Sequence, residues 1–394
     1  MAFCYPIYPC SFFSPVRPFT RLIDLCKHSP TLPPTSSPLL HALCANGAIY
    51  YAMLHGKSPR LPESPSTSNV VTDLTIRHVL LHRAEALRLL RAIFDSPTTH
   101  TRIIITDEII VTIIVLRSIS ALLGLGNEVA IHDMGFYQLV ESRGLTNLDE
   151  NFKFDIMAKE IRSSYARNKA PRFKLPLDWK IKYDDYGADE VPFSGFEDEE
   201  VRCFLSDELL KVLRFLSHVF KIALSRRMLP CQWPDLGVGS DRSVGLRTLY
   251  LTAEHTLLSL PFIPRSQTPS SFEEPVRLAT LLFYNLALWS APPYLALMKT
   301  KARELYNEML PLSLPQPITD PNSSLLKETR QITKGELKLR YWILDVGIRS
   351  TLPRHVEFMF FHEETERTEA MGQNMGIGAE EWRKGFLGAD VEWG

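Results

Sequence analysis

The sequence predicts an all-α protein, a multi-helix bundle or irregular helical stack with no β-sheet of note. Three features carry that prediction. Apolar residues recur at steps of three and four through most of the chain, the spacing that lines one face of a helix. Some of these runs open on a hydroxyl residue with Glu three positions later, Ser271 with Glu274 and Thr333 with Glu336, the pattern of a reciprocal N-terminal cap. No apolar–polar alternation runs long enough to build a sheet, and no fixed period marks a repeat array.

In chain order, residues 1–38 form a Pro-rich segment, expected to be loosely ordered, and 39–394 form the helical domain. A first core helix is expected over 39–53, followed by a Pro/Ser-rich connection at 56–69. Residues 73–148 then hold three helices around which the rest is organised. In the first, Ile76, Leu80, Ala84, Leu87, Leu90 and Phe94 share a face, and Arg77, Arg83, Glu85, Arg88 and Arg91 fall mostly on the others. The second is apolar nearly all round and belongs inside the stack; Thr106 caps it, Asp107 and Glu108 suit its positive end, and Gly124 or Gly126 stops it. The third is expected over 132–144.

After Leu148 a charged loop is expected at about 159–200. Residues 159–182 carry eight Lys or Arg against two acids, interleaved with Tyr165, Phe173 and Trp179; 184–200 carry eight acids and no base. Bases alternating with aromatics suit single-stranded nucleic acid, but adjacent blocks of opposite sign point instead to a self-compensating surface loop. Further helices are expected over 206–228, capped by Ser206, over 244–260 and 271–289, over 293–309 and 333–350, and finally over 354–370 and 379–386.

A chain of 394 residues with 45% hydrophobic and 23% charged content is long enough and apolar enough to bury a sizeable core. Its formal net charge of −1 supplies no overall positive field for nucleic acid or an anionic membrane. The six cysteines include no Cys-x-x-Cys pair, so neither a structural zinc site nor a disulfide framework is predicted, and reduced, mostly buried thiols are expected. Pro6, Pro9, Pro15 and Pro18 interrupt the apolar N-terminus where a secretory signal needs an unbroken run. The longest uncharged apolar run, 109–116, is far below the roughly 20 residues of a bilayer span, so no membrane association is expected.

Catalytic signatures fail one by one. His362-Glu363-Glu364, near His355 and Glu357, would need a second His at 366 to make a helical zinc motif, and that residue is Glu366. Gly237, Gly239 and Gly245 fit neither a phosphate loop nor a dinucleotide fingerprint, and Ser240 and Ser243 lack a nucleophile-elbow frame. Cys203 and Cys231 carry no thiolate signature; His82 and His132 lie beside apolar faces and suit hydrogen-bonded packing. No catalytic residue, cofactor or metal ligand is therefore assigned. The rival reading is an enzyme using the His362/Glu363 region, and another is a ligand-binding or scaffold protein with a cavity between its helices.

The wording of residues 73–148 resembles the fungal-specific transcription factor domain, the helical regulatory region of many zinc-cluster regulators. The likeness is carried by His82, Arg83, Glu85, Ala86 and Leu87, then Asp107 and Leu116, then His132, Gly135, Leu139, Val140, Arg143, Gly144, Leu145 and Leu148. Later, Glu274, Arg277, Leu278, Ala279, Leu282, Phe283 and Tyr284 are similar to the family's "E..RLA.LLY" helix. Leu339, Trp342, Leu344 and Gly347 are similar to "L.W.L..G", and 382–393 to its closing segment. The resemblance implies an all-α regulatory body of a nuclear or nucleocytoplasmic protein, non-catalytic, working through protein partners, a homodimer contact or a small-molecule effector. It departs from the family in lacking the six-cysteine zinc cluster, so direct DNA binding is not expected of this chain.

Overall fold

The computed structural model describes residues 37–54, 74–95, 105–179, 195–196, 198–225, 246–260, 272–289, 296–314, 332–378 and 386. Residues 1–36, the connection at 56–69, the glycine loop at 237–245, Cys231 and most of the expected helix at 379–386 lie outside these. Among the described residues every regular element is helical: α1 Pro38–Leu54, α2 Leu74–Phe94, α3 Asp107–Leu123, α4 Gly126–Arg143, α5 Glu150–Arg167, α6 Glu199–Arg202, α7 Asp207–Ser225, α8 Leu246–Ser259, α9 Glu273–Trp289, α10 Ala296–Met309, α11 Lys334–Arg349 and α12 Val356–Asn374. The chain is all-α, as its periodicity requires. None of these helices is long and apolar enough to cross a membrane. Contacts divide the chain into two compact units, the first essentially ending at Asp149 and the second running from Glu150 onward, where the sequence reads as one helical domain from residue 39.

In the first unit, α1 packs most extensively on α2 and also on α3, while α4 lies along α3. Pro38 opens α1 at the position where its missing N–H costs nothing. Ser37 precedes it and accepts from Leu40 N at 3.2 Å while donating to Glu108 at 2.5 Å. Leu39, Ala42, Ala45, Ile49 and Ala52 are buried along one stripe of α1. Its alanines let α2 come close. On α2 the inner seam is Val79, Ala86 and Leu90, with Arg83 between them, rotated from the face the leucine spacing suggests: Leu80 is exposed at 37% and Ala84 is also exposed. The reason is Arg83, which turns inward to pair with Glu128 of α4. A helix with leucines around most of its circumference has no unique apolar face, so a charged partner decides its rotation.

Helix α3 is buried nearly all round, as expected. Thr106 caps it, accepting from Ile109 N, and Gly124 ends it at φ 82°, a left-handed conformation that glycine adopts without strain. Re-entry is faster than the sequence suggests. Leu125 N bonds back to Ser120 O at 2.8 Å and α4 starts at Gly126, not at His132. This tight turn brings Glu128 against Ser120 and Arg83, so the early start of α4 is fixed by tertiary partners rather than by a cap.

In the second unit α9 and α11 form the centre. Val276, Leu278, Ala279, Leu281, Leu282 and Phe283 of α9, and Leu337, Leu339, Trp342, Ile343 and Leu344 of α11, are buried. Each such side chain taken from water contributes roughly 1.5–3 kcal/mol. Around them, α9 meets α8, α10 and α11, and α11 also carries α6 and α12. Ser206 caps α7 and Thr333 caps α11, accepting from Leu209 N and Glu336 N. The Glu336 carboxylate also reaches along α11 to Arg340. Ser271 of the other expected capping box lies outside the described residues, and its partner Glu274 binds Arg277.

The expected charged loop is corrected at its start. Residues 159–167 are the second half of α5, because Phe152, Ile156, Met157, Ile161 and Tyr165 give this stretch a buried helical stripe that its many charges obscure. Asn168 then leaves the helix at φ 48°, a left-handed conformation that Asn tolerates better than most side chains. Its side chain accepts from Arg277 at 2.7 Å and reaches Glu274 at 3.5 Å, fastening the end of α5 to α9. Two described acids of the acidic block, Asp198 and Glu200, have partners far along the chain. Asp198 pairs with Lys338 at 3.1 Å and Glu200 accepts from Gly335 N at 3.0 Å.

Two glycines of α11 permit close approach. A Cβ on Gly335 would collide with the Glu200 backbone, and one on Gly347 would lie 2.7 Å from the Phe361 ring of α12. Gly347→Ala should therefore cost roughly 1–3 kcal/mol as overpacking, read as a lowered melting midpoint by circular dichroism. Leu282→Asp, at a position with no exposure, should abolish cooperative melting of the second unit. An unchanged midpoint in either variant would contradict this packing.

Candidate functional site

The His362/Glu363 region does not converge. His362 and Glu363 lie on the outer face of α12, half or more exposed, where His362 sits 3.5 Å from Glu366 and Glu363 3.7 Å from Arg367, each one turn on. Glu364 and Glu357 point the other way and are buried. Glu364 accepts from Leu314 N at 3.0 Å and pairs with Arg367; Glu357 pairs with Arg303. Charges alternating around one helix are split by it onto opposite faces, so a cluster in the sequence is no cluster in space. His355 stands at the start of α12 without capping it.

His82 and His132, the two histidines beside apolar faces in the sequence, both lie in the first unit. His132 is buried, and burial lowers its pKa below the usual imidazole range, opposed by Glu128. His82 lies opposite His41 of α1, their Nδ1 atoms 3.0 Å apart. Cys44 and Cys203, in contrast to the expected buried thiols, are exposed; Cys203 directly follows the single turn α6, of which only Val201 is buried. Among the described residues no three His, Cys, Asp or Glu side chains stand in position to hold a metal ion.

The described part of the basic, aromatic stretch, up to Trp179, offers no stacking platform. Tyr165, Phe173 and Trp179 are all nearly fully buried, and bases stack only on exposed faces. Phe173 instead presents its carbonyl to His255 Nε2 at 2.8 Å, joining this segment to α8. Since a carbonyl only accepts, Nε2 carries the proton there; burial holds this imidazole below its usual pKa.

The densest set of buried polar groups is one the sequence does not announce. In the second unit α8 carries Tyr250 and Glu254 one turn apart, α5 brings Arg162 and Tyr165, α9 brings Tyr284, and α10 brings Lys301. The Tyr250 and Tyr284 rings stack at 4.0 Å, and Tyr284 donates to the Tyr250 carbonyl at 3.4 Å. Burial, with the charge of Glu254 beside them, pushes both phenols well above their usual range. Lys301 has no exposure; its Nζ lies 5.1 Å from the centre of the Tyr165 ring and 2.6 Å from Glu304, and burial lowers its pKa. Burial also raises Glu254 to about 7, against the pull of Arg162. A carboxyl poised near neutrality between two phenols and a guanidinium can take up or release a proton inside the stack. The only trace in the sequence is Glu254-His255 interrupting the apolar run of α8.

No protein-family model matches the chain, and no curated protein or solved structure matches it either.

Glu254 makes the second unit pH-sensitive in a defined direction. Below its unfolded value of 4.5 the carboxyl is protonated in both states and costs nothing. As pH rises from there to about 7 the unfolded chain releases the proton while the folded chain keeps it, so stability falls, by on the order of 3 kcal/mol in all, and then levels off. Urea unfolding of the wild type and Glu254→Gln at pH 5 and pH 8 should show the variant gaining on the wild type as pH rises. An equal difference at both pH values would refute the assignment.

Proposed function

We propose that this chain is the regulatory helical body of a fungal transcription-factor-like protein, acting in the nucleus through protein partners or an effector and not through catalysis. One observation carries the reading: two separate stretches of the first likeness are tied together by an ion pair between their own polar residues. Asp107, from the second stretch of likeness, pairs with Arg143 from the third, and Arg143 also donates to Ile105 O at 3.0 Å. Glu274 and Arg277 of the "E..RLA.LLY" helix pair at 2.5 Å with little exposure of either.

The apolar positions support the same reading. Ala86, Leu116, Val140, Leu148, Leu278, Leu282, Leu339, Trp342 and Leu344 are buried, and Gly347 is where α12 comes closest. The residues carrying the resemblance are thus packing residues, the kind that a shared architecture preserves. With a formal net charge of −1 and no Cys-x-x-Cys pair in this sequence, the reading has the contact with DNA made by a partner. A second copy of this chain is one such partner.

Tethering the chain to a heterologous DNA-binding domain in a fungal host should change reporter transcription several-fold, up or down, and Leu282→Asp should abolish the change. A reporter unmoved by the folded, tethered wild-type chain would overturn the proposal.

A further inference from the structure

Three imidazoles meet where α1 and α2 pack, and two of them share a hydrogen. His41 of α1 and His82 of α2 face each other with Nδ1 atoms 3.0 Å apart and ring centroids 5.3 Å apart. A contact this short between two imidazole nitrogens needs one N–H and one lone pair, so one Nδ1 donates and the other accepts. His78, one turn before His82, stacks on it at 6.4 Å with the rings 24° from parallel. All three rings reach solvent, His41 and His82 partly and His78 freely, so protons come and go without unfolding.

The pair takes up protons in two steps with opposite consequences. The first goes to the outer Nε2 of the donating ring; the hydrogen between the rings stays, and the bond becomes charge-assisted. The second can go only to the accepting Nδ1. Both Nδ1 atoms then carry hydrogen, the bond is gone, and two cations stand in contact. His82 fits the accepting role, since burial and the charges of His41 and His78 hold it below its ordinary value of 6.5. The nearby described carboxylates already have partners. Glu85, near enough to His41 to feel its charge, is held by Arg88 at 2.6 and 2.8 Å. Arg83 turns to Glu128 of α4, Glu108 of α3 is taken by Ser37 at 2.5 Å, and α1 carries no Asp or Glu.

We propose that the His41–His82 contact is a two-proton latch on the seam between α1 and α2, closed while one hydrogen lies between the Nδ1 atoms and opened by the proton that puts a hydrogen on each. The direction follows from His82. Its charged form is disfavoured in the folded chain, so the latch is intact above 6.5 and its contribution is lost as the pH falls below that value. Glu254 acts in the opposite sense and in the second unit, where stability falls as pH rises. The small side chains of Ala42, Ala45 and Ala52 hold α1 close against α2, and acid loosens this seam at its histidines.

Two measurements on the full chain test the latch. Long-range nitrogen–proton NMR of the histidine rings at pH 7.5 should find His41 carrying its hydrogen on Nδ1 and His82 on Nε2. Amide hydrogen exchange, corrected for its intrinsic pH dependence, should show α1 and the facing part of α2 losing protection on the order of tenfold between pH 7.5 and pH 5.5. His82→Gln accepts the same bond through its amide oxygen and cannot become charged, so its protection there should no longer depend on pH. His82→Glu should reverse the sign, because a carboxylate binds the charged His41 more tightly than the neutral ring. Both changes fall at a partly exposed position, and His362→Gln on α12 should behave as the wild type. Hydrogen on Nε2 of both facing rings, equal wild-type protection of α1 at the two pH values, or an undiminished acid loss in His82→Gln would each overturn the proposal.

Discussion

A charge enters the interior of a helical stack only in company, and that constraint organises both units of this protein. Burying an isolated ion costs several kcal/mol, and removing one member of a buried pair typically costs roughly 3–5 kcal/mol. In the first unit Arg83 meets Glu128, Arg117 meets Asp133 and Arg143 meets Asp107, each joining α4 to α2 or α3. In the second, Arg277 meets Glu274 beside Asn168, and Arg340 meets Glu336 at 3.0 Å while lying over the Phe272 ring. Apolar burial supplies the drive to collapse. In the first unit the interhelical pairs also select which rotation of each helix is compatible with it, since any other leaves a guanidinium or carboxylate inside without its partner.

Close approach is the second requirement, and small residues meet it. Ala42, Ala45 and Ala52 line α1 where α2 lies against it, and Ala86 answers from α2. In the second unit Gly335 and Gly347 let α6 and α12 reach the α11 backbone. Large side chains then fill the space around these contacts: Phe196 meets Trp342 edge-on at 5.1 Å, and Phe386 lies parallel to the indole at 6.1 Å. Near α11, Leu337, Tyr341 and Ile377 are buried together. A core of this kind transmits a local change, because a helix that cannot slide or rotate freely can only shift between discrete packings.

Two groups of titratable side chains sit at such seams. The histidines lie between α1 and α2, and Glu254 with its tyrosines lies among α5, α8 and α9. A proton gained or lost at Glu254 changes the energy of the contacts among these helices.

The helical class, the caps at Thr106, Ser206 and Thr333, the stop at Gly124 and the burial of α3 and α9 were legible in the sequence, because they depend on residues within a few positions of one another. The rotation of α2, the start of α4 and the fastening of the end of α5 were not. Each hangs on a partner far along the chain: Arg83 on Glu128, Asn168 on Arg277 109 residues away. The candidate sites divide the same way. His362 and Glu363 look like a cluster when written in a line and are split across a helix in space, whereas His41 and His82, 41 residues apart, are brought into contact. Sequence alone determined which segments become helices, since hydrogen bonding and capping along a helix are local. Only the tertiary structure decided which faces meet, and therefore which polar groups share a seam, because pairing across helices is a property of the packed chain and leaves no spacing to read.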